Sequence, residues 1–450
     1  MAAVLNSEIK VRPWKLAIGW LAFLGPFFFV TYGLANTWTS RLPNVNSIVW
    51  EWEKQIPFVP WTILPYMSID AFYALSLFIC TSRTELNTHA KRLLSATLIS
   101  ITGFLLFPLK FSFIRPPTEG FNKALFDVLT GFDKPFNQAP SLHISLLMLL
   151  WAKYMRHTHS TMHWFIHSWF ALIGLSVFTT FQHHIIDGMT GAMVGIFCFY
   201  IFPDIPTNPA HSLVIHQRCS QSLKLQQRYL ISSLVCFVLA FYYRRWAWLF
   251  IWPGLSLFLV SLAYGHFGTR IFQKHQGKLS WSAYILLLPY HLSAWLSSRW
   301  FTCNIPASAE IIPGIWIGRI PSSADLIKLK PQSIVDLTAE FHSSKASRSH
   351  HYRSIPMLDL IVPTPDQLQH AIENLEALYL LHLNRPILVH CALGYSRSAM
   401  VVAAWLLYRK FALNPESAIK IIRTARPQIV LSPAHQKALE AFYYDYITPA

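Results

Sequence analysis

The sequence predicts a polytopic α-helical membrane bundle followed by a soluble α/β domain. The chain of 450 residues is 53% hydrophobic and only 13% charged, which excludes an ordinary soluble protein of this length. Apolar residues form long blocks from about Lys15 to Phe301. From Asn304 onward, charged and apolar residues alternate as they do in soluble domains. These two patterns predict two structural parts.

Nine apolar blocks are candidate membrane spans, because a transmembrane helix needs about 20 mostly apolar residues. The block at 229–243 is short and ends at Arg244 and Arg245, so it is open whether it forms one bent element with the next block. The last block contains Pro289 and His291, which leaves an interfacial position open. The blocks lie near 15–35, 61–81, 93–113, 141–156, 164–182, 184–203, 229–243, 246–265 and 279–300.

Basic residues predict how the chain is oriented in the membrane. Lys10, Arg12 and Lys15 flank the first block, which favours a cytoplasmic N-terminus. Nine spans would place the C-terminal domain outside, and eight would keep it in the cytoplasm; we favour eight. We expect an integral multi-pass protein of a bacterial inner membrane. The formal net charge of +16 fits loops facing anionic lipid, so no nucleic-acid partner is predicted.

The strongest chemical motif is HCALGYSRS at 390–398, between the apolar runs PILV and AMVVAAWLL. This pattern predicts a buried strand, a tight loop and a helix. Such a loop points backbone N–H groups at an anion, and the helix dipole favours the thiolate form of Cys391. Arg397 follows six residues later, and its planar guanidinium can bind two phosphate oxygens. The spacing suits a thiolate that attacks a bound phosphate.

The C-terminal third resembles the dual-specificity branch of the protein tyrosine phosphatases, whose signature is HCxxGxxRS. The segments 312–318 and 334–340 resemble two strands of that family, and 355–359 resembles the segment with the general acid. The resemblance implies an α/β cysteine-phosphatase domain without cofactor. Its implied residues are the nucleophile Cys391, the phosphate clamp Arg397, the proton donor Asp359, the hydroxyl Ser398 that eases thiolate departure, His390 that helps to hold the thiolate, and the phosphate-loop residue Gly394. The alternatives are a buried core thiol for Cys391 and a loop carboxylate for Asp359.

A second group of polar residues lies at the ends of the predicted spans. Lys110 and Arg115 follow the third span, His143 opens the fourth, and His183 and Asp187 lie where the fifth meets the sixth. If the spans alternate across the bilayer, these residues lie on the same side. Ionisable residues at membrane depth are costly and usually functional. A histidine backed by an aspartate can act as a nucleophile, with a second histidine as acid.

These motifs resemble the type 2 phosphatidic acid phosphatase superfamily, and in particular its inositol phosphorylceramide synthase-like branch. The resemblance implies a six-helix core with His183 as nucleophile, Asp187 as its orienting base and His143 as acid, and phosphate contacts from Lys110 and Arg115. Two features depart from the hydrolase pattern. Four residues separate Lys110 from Arg115 where the motif has six, and Val177 stands where it has arginine. An inactive bundle whose polar residues are helix caps and interface anchors is the alternative.

The predicted organisation is therefore a phosphatidic acid phosphatase-like membrane domain at 1–210, additional spans and a linker at 211–302, and a dual-specificity phosphatase domain at 303–450. The linker itself is expected near 302–312. The histidines of 156–163 lack an accompanying carboxylate or cysteine, so no metal site is predicted.

Two functions compete. The first is a membrane-bound phosphatase of phospholipid metabolism with a second, intramembrane histidine site for hydrolysis or headgroup transfer. The second is a signalling phosphatase acting on phosphoprotein, with a degenerate membrane domain. A transporter is disfavoured because the polar residues cluster at one rim. The sequence leaves the natural substrate open.

Overall fold

A computed structural model describes residues 12–204, 219–382 and 385–448. The chain divides into two compact units. Within the described residues, the first unit contains 12–204 and 237–252, and the second contains 219–236 and everything from 253 onward.

The first unit is built from helices that share one apolar core. The large buried side chains come from α1, α2, α3, α5, α6 and α7, and α4 packs against α2. Ser82 begins α3 and Ser141 begins α5, and each hydroxyl accepts a backbone N–H in the first helical turn. The helices are α1 (Trp14–Ser40), α2 (Ile63–Ser76), α3 (Arg83–Leu106), α4 (Gly120–Phe132), α5 (Leu142–His157), α6 (His163–Thr179) and α7 (Ile185–Ile201).

Four helical stretches of the described chain are long and apolar enough to cross a membrane. Two of them lie in the part before residue 204, and two lie beyond residue 219. They cover Trp14–Ser40, Ser160–Thr179, Ser220–Tyr242 and Arg244–Phe272. The last two contain α8 (Ser220–Tyr242) and α9 (Ala247–Leu262). The block expected to be short at 229–243 is therefore part of a helix of 23 residues.

The last predicted span, at 279–300, does not form one continuous helix. After a two-stranded hairpin, β1 (Lys274–His275) and β2 (Lys278–Leu279), the chain forms α10 (Trp281–Leu286) and α11 (Leu288–Phe301). Pro289 lies in the first turn of α11, where its missing N–H costs no helical hydrogen bond. At 1.5 Å per residue, the 14 residues of α11 extend about 21 Å, which is shorter than a bilayer core.

The C-terminal part of the chain is an α/β domain around a five-stranded sheet, as predicted. The order of strands is β3-β4-β7-β5-β6; β3 pairs antiparallel with β4, and the other pairs are parallel. Every residue of β5 and β7 is buried, including the polar Ser333, Asp336 and Thr338 of β5, as expected for central strands covered on both faces. The strands are β3 (Ser308–Ile312), β4 (Ile315–Gly318), β5 (Ser333–Thr338), β6 (His351–Met357) and β7 (Ile387–His390).

Helices complete this domain, and α15 lies at its centre. Trp405 and its neighbours in α15 are fully buried in a core shared with α14, α16 and α17. A smaller apolar cluster includes Leu326 of α12 and Ala346 of α13. The helices are α12 (Ser323–Leu329), α13 (Lys345–Arg348), α14 (Pro365–Leu381), α15 (Arg397–Tyr408), α16 (Pro415–Ala425) and α17 (Pro433–Phe442).

The predicted linker at 302–312 overlaps this domain. Residues 308–312 form strand β3 and pair with β4, so the second half of the expected linker belongs to the sheet. Within Ser308–Ile312 only Glu310 is exposed and its neighbours are partly buried, as expected for a strand at the edge of a sheet.

Candidate active site

The loop between β7 and α15 surrounds the sulfur of Cys391. Cys391 is 2% exposed, and its Sγ accepts a hydrogen bond from the backbone N–H of Gly394 at 3.2 Å. The hydroxyl of Ser398 lies 3.5 Å from the same sulfur. The sulfur thus lies inside the loop that leads into α15, with one backbone donor and one hydroxyl beside it.

Gly394 is required by the shape of this loop. Its φ is +75°, and a Cβ at this position would meet the carbonyl carbon of Gly318 at 2.5 Å. A side chain would therefore be strained and would collide with the backbone after β4. The glycine of the signature allows the loop to fold tightly around the sulfur.

Arg397 is held by two carboxylates. Its guanidinium is buried and donates to both oxygens of Glu340, at 3.0 and 2.7 Å, which is a bidentate pair. The same group lies 2.9 Å from a carboxylate oxygen of Asp359 and donates to the backbone carbonyl of Met357. The Nε of Arg397 has no hydrogen-bond partner in the described part of the chain.

Asp359 has the electrostatic environment of a proton donor. Its side chain is 36% exposed, so it can meet a substrate. Burial raises the pKa of Asp359 above its ordinary value of 3.8, the Arg397 guanidinium opposes this shift, and the Glu340 carboxylate adds to it. The net direction is upward, which keeps the proton on Asp359 at higher pH than on an ordinary aspartate.

A buried ion pair lies beneath the loop. The Nζ of Lys274, from hairpin strand β1, is 2.7 Å from Asp336 Oδ2 and also donates to the backbone carbonyl of Thr338. Asp336 in turn lies 3.9 Å from the ring of His390, the residue before Cys391. Burial alone would raise the pKa of Asp336, but the charges of Lys274 and His390 hold it below its usual range.

The segment that precedes the domain also contacts the catalytic loops directly. The hydroxyl of Ser298 in α11 donates to the backbone carbonyl of Ala392, at 2.9 Å. The hydroxyl of Tyr264 donates a hydrogen bond to the backbone carbonyl of Asp359, at 3.2 Å. The rings of Tyr264 and Tyr290 each lie against Tyr229. Elements outside the recognisable signature thus hold both sides of the site.

The sequence analysis missed Glu340, Lys274 and Arg426. Arg426 is buried and donates to the backbone carbonyls of Gly394 and Leu393, so it fastens the loop from outside. Glu340 ends a segment that was recognised only as a strand. An acidic residue directly after a buried strand beside the loop was a usable signal, whereas nothing near Lys274 in sequence pointed to Asp336.

In the first unit, two predicted site residues line one small cavity. His143 and His183 face a space of about 90 Å³ together with Asp133, which the sequence analysis had not singled out. The ring of His143 stacks on Tyr66, at 4.2 Å between centroids. Nδ1 of His183 lies 3.7 Å from Asp187 Oδ2, within ion-pair distance but without a hydrogen bond.

The predicted phosphate ligands of this region differ in position. Arg115 donates to the backbone carbonyl of Thr180, three residues before His183, and its guanidinium lies over the ring of Phe126. Lys110 is exposed and does not line the cavity of His143 and His183. Asp187 accepts the backbone N–H of His184 at 2.8 Å and so caps α7.

In residues 12–204, 219–382 and 385–448, no group of three or more His, Cys, Asp or Glu side chains could hold a metal ion. The histidines of 156–163 belong to this described part.

Comparison with known proteins defines the class of the C-terminal part. Residues 316–445 match the profile of the dual specificity phosphatase catalytic domain, and this stretch contains the complete loop of Cys391. The chain therefore carries a dual specificity phosphatase catalytic domain at its C-terminal end, as the signature predicted.

Individual relatives match the same part of the chain. Phosphatidylglycerophosphate phosphatase PTPMT1 of Arabidopsis thaliana is 27% identical over 137 residues, which are 29% of this chain and 40% of the relative. Phosphatidylglycerophosphatase and protein-tyrosine phosphatase 1 of Homo sapiens is 35% identical over 82 residues, 18% of this chain and 39% of the relative. The chain thus spans only about two fifths of the length of these relatives. A crystal structure of PTPMT1 in complex with PI(5)P covers 31% of this chain and 96% of its own, with 22% identity and a TM-score of 0.28.

Proposed function

We propose that this chain is a membrane-bound phosphatase that hydrolyses phosphate monoesters of phospholipids through a cysteinyl-phosphate intermediate at Cys391. The observation that carries the proposal is the geometry around the sulfur, which lies beside the Gly394 N–H and the Ser398 hydroxyl, with the buried Arg397 guanidinium held by Glu340 at the start of the following helix. The names of two relatives, both phosphatidylglycerophosphate phosphatases, support a lipid substrate.

The reaction proceeds in two displacements. The Cys391 thiolate attacks phosphorus, the bond to the leaving oxygen breaks, and Asp359 gives its proton to that oxygen. Backbone N–H groups of the loop and Arg397 stabilise the charge on the three phosphoryl oxygens. In the second step the Asp359 carboxylate takes a proton from water, whose oxygen attacks phosphorus. The sulfur leaves as a thiolate, eased by the hydroxyl of Ser398, and inorganic phosphate is released.

Glu340 has a positioning role in this scheme. Its bidentate pair fixes the plane of the Arg397 guanidinium, which leaves Nε directed to another partner. His390 and Gly394 position the loop: the first through Asp336, the second through its backbone conformation.

The test uses the full chain in detergent with an aryl phosphate and with phosphatidylglycerophosphate. Cys391→Ser is expected to abolish hydrolysis of the aryl phosphate, because a serine hydroxyl does not ionise near neutral pH. Cys303→Ser makes the same change at an exposed cysteine outside the loop and serves as the matched control for a general loss of folding. Hydrolysis of the aryl phosphate that persists in Cys391→Ser would remove the assignment of the nucleophile.

A second candidate activity rests on the cavity shared by His143 and His183. We propose that His183 attacks a lipid phosphate there, with Asp187 orienting its ring and His143 protonating the leaving group. The unpartnered Nδ1 of His183 and Nε2 of His143 support it, because buried ring nitrogens without partners are unusual. Neither Arg115 nor Lys110 lines this cavity, although Arg115 donates to the backbone carbonyl of Thr180, three residues before His183.

The location proposed for this protein is a bacterial inner membrane, with the cysteine domain in the cytoplasm. A reducing compartment protects the thiol of Cys391 from oxidation. A reporter fused after the last residue tests this: a reporter active only in the periplasm would place the domain on the other side. The alternative, a signalling phosphatase for phosphoproteins, predicts hydrolysis of phosphopeptides but of no lipid phosphate by the cysteine site.

A further inference from the structure

A cavity of about 770 Å³ lies beside the candidate active site within the second unit. Its lining follows the carboxyl ends of β4, β5 and β7, which is the edge of the sheet that carries Cys391. The opposite wall is α10 and α11. This volume falls within the range of specific small-molecule sites.

The walls of the cavity are mainly apolar. Most of them come from the short helices before the catalytic domain, and they include three aromatic side chains. The apolar wall residues before the catalytic domain are Leu279, Trp281, Tyr284, Leu288, Leu292 and Trp295. Binding of a hydrocarbon chain against these walls would be favourable, because burial of apolar surface contributes about 25 cal/mol of free energy per Å².

His291 supplies a polar group within these walls. Its side chain is 6% exposed, and neither ring nitrogen has a hydrogen-bond partner in the described part of the chain. A buried imidazole without partners is costly, so a ligand that accepts a hydrogen bond would stabilise it. An ester carbonyl next to a hydrocarbon chain has this chemistry.

The floor of the cavity adjoins the reacting groups. His390 and Glu340 both line it. His390 directly precedes Cys391 in the chain, and Glu340 accepts hydrogen bonds from Arg397. A molecule in the cavity therefore lies close to the loop that binds phosphate.

Helix α11 carries exposed apolar side chains. Leu292, Leu296 and Trp300 are 54%, 53% and 78% exposed, although all three are apolar. A short helix with exposed leucine and tryptophan is typical of segments that lie in a membrane interface. The cavity thus opens next to a surface suited to the bilayer.

We propose that this cavity binds an acyl chain of the phospholipid whose phosphate reacts at Cys391, with His291 donating a hydrogen bond to the ester carbonyl of that chain. The inference rests on the proposed function and specifies its substrate as a long-chain ester phospholipid drawn from the membrane surface.

The experiment uses the full chain with His183→Ala, so that only the cysteine site acts, in mixed micelles. It measures kcat/KM for phosphatidylglycerophosphate with oleoyl chains and with hexanoyl chains. Leu292→Trp fills part of the cavity and is expected to lower the ratio of long-chain to short-chain kcat/KM about tenfold. Leu296→Trp is the matched control, because Leu296 lies on the same helix with the same exposure but outside the cavity. It should leave the ratio unchanged.

A second pair of substrates tests His291. The parent protein should prefer an ester-linked lipid to its ether-linked analogue by about three- to tenfold, the range of one hydrogen bond, and His291→Phe should lose that preference. Equal chain-length ratios in Leu292→Trp and Leu296→Trp, with lipid still hydrolysed, would overturn the inference alone. Hydrolysis of aryl phosphate without hydrolysis of any lipid would overturn the proposed lipid substrate itself.

Discussion

Arg397 shares its guanidinium between Glu340 and Asp359, and this sharing connects the proposed phosphate clamp to the proposed proton donor. Movement of Asp359 toward a leaving group changes a contact that Arg397 makes at 2.9 Å. Glu340 keeps its two hydrogen bonds independently of that movement. The arrangement would keep the arginine oriented in the proposed reaction, in which Asp359 gives up and regains a proton.

Asp359→Asn is expected to slow hydrolysis of alkyl phosphates by about 100-fold while affecting activated aryl phosphates much less. The reason is that a poor leaving group needs the proton, and general acids contribute about 10² to 10⁴ in rate. Steady-state rates on both substrate classes measure the difference. Equal losses on both would show that Asp359 is structural.

The pH dependence of kcat tests the role of Asp359 independently. Because the folded pKa of Asp359 lies above 3.8, the acid stays protonated as pH rises past that value, and activity falls only when pH exceeds the raised pKa. The kcat for an alkyl phosphate should therefore show a descending limb on the alkaline side. That limb should be absent in Asp359→Asn; its persistence would assign the limb to another group.

Arg397→Lys is expected to reduce kcat/KM for aryl phosphate severely, although the charge is retained. A lysine ammonium cannot reproduce the two parallel hydrogen bonds to Glu340 or the planar contact with phosphate. Enzyme kinetics measure the loss, and Arg409→Lys, on an exposed part of α15's end, is the control. Near-normal turnover in Arg397→Lys would argue against a clamping role.

At the scale of elements, the hairpin β1–β2 acts as part of the catalytic domain. Its tip contains Gly277, whose backbone carbonyl accepts hydrogen bonds from both the backbone and the hydroxyl of Ser343. The turn brings Lys274 to Asp336, where the lysine side chain is fully buried. The hairpin is therefore held both at its tip and at its charged residue.

Lys274→Met is expected to destabilise the second unit by about 3–5 kcal/mol, because it leaves the buried Asp336 carboxylate without its cation. The double variant Lys274→Met/Asp336→Asn should recover much of this loss, since it removes the unpaired charge. Lys278→Met changes an exposed lysine of the same hairpin and is the control. Thermal unfolding of the full chain in detergent measures all three; no rescue by the double variant would argue against charge as the cause.

The short elements also show where sequence reasoning succeeds. The loop of Cys391 was predictable because its strand, signature and helix are contiguous, and each local pattern agrees with the others. Glu340 and Lys274 were not predictable, because their roles arise from contacts across 57 and 62 residues of chain. The last apolar block, at 279–300, was read from composition, which does not distinguish a spanning helix from two short helices broken near Pro289.

At the scale of the whole molecule, four described helices are suited to a bilayer, and each unit carries its own cluster of reactive side chains. The residues around His143 and His183 in the first unit all differ from those around Cys391 in the second. If both are sites, each should survive loss of the other.

This independence can be tested in liposomes that contain phosphatidic acid, phosphatidylglycerophosphate and diacylglycerol. Lipid turnover that remains in Cys391→Ser and disappears in Cys391→Ser/His183→Ala would support a second site, because His183 is the proposed nucleophile there. Both free phosphate and new lipid species are measured, to separate hydrolysis from headgroup transfer. No lipid conversion by Cys391→Ser would indicate that the first unit is a scaffold.

The burial of Lys274 bears on where the C-terminal domain can be joined to another protein without loss of an ion pair. The cation for Asp336 comes from a segment that precedes the recognisable catalytic domain, at residues 316–445. A recombination event that joined a free-standing phosphatase to a membrane protein near residue 305 would leave that carboxylate unpaired. A domain transferred to another protein should therefore begin before the hairpin, upstream of Lys274, so that Asp336 keeps its cation.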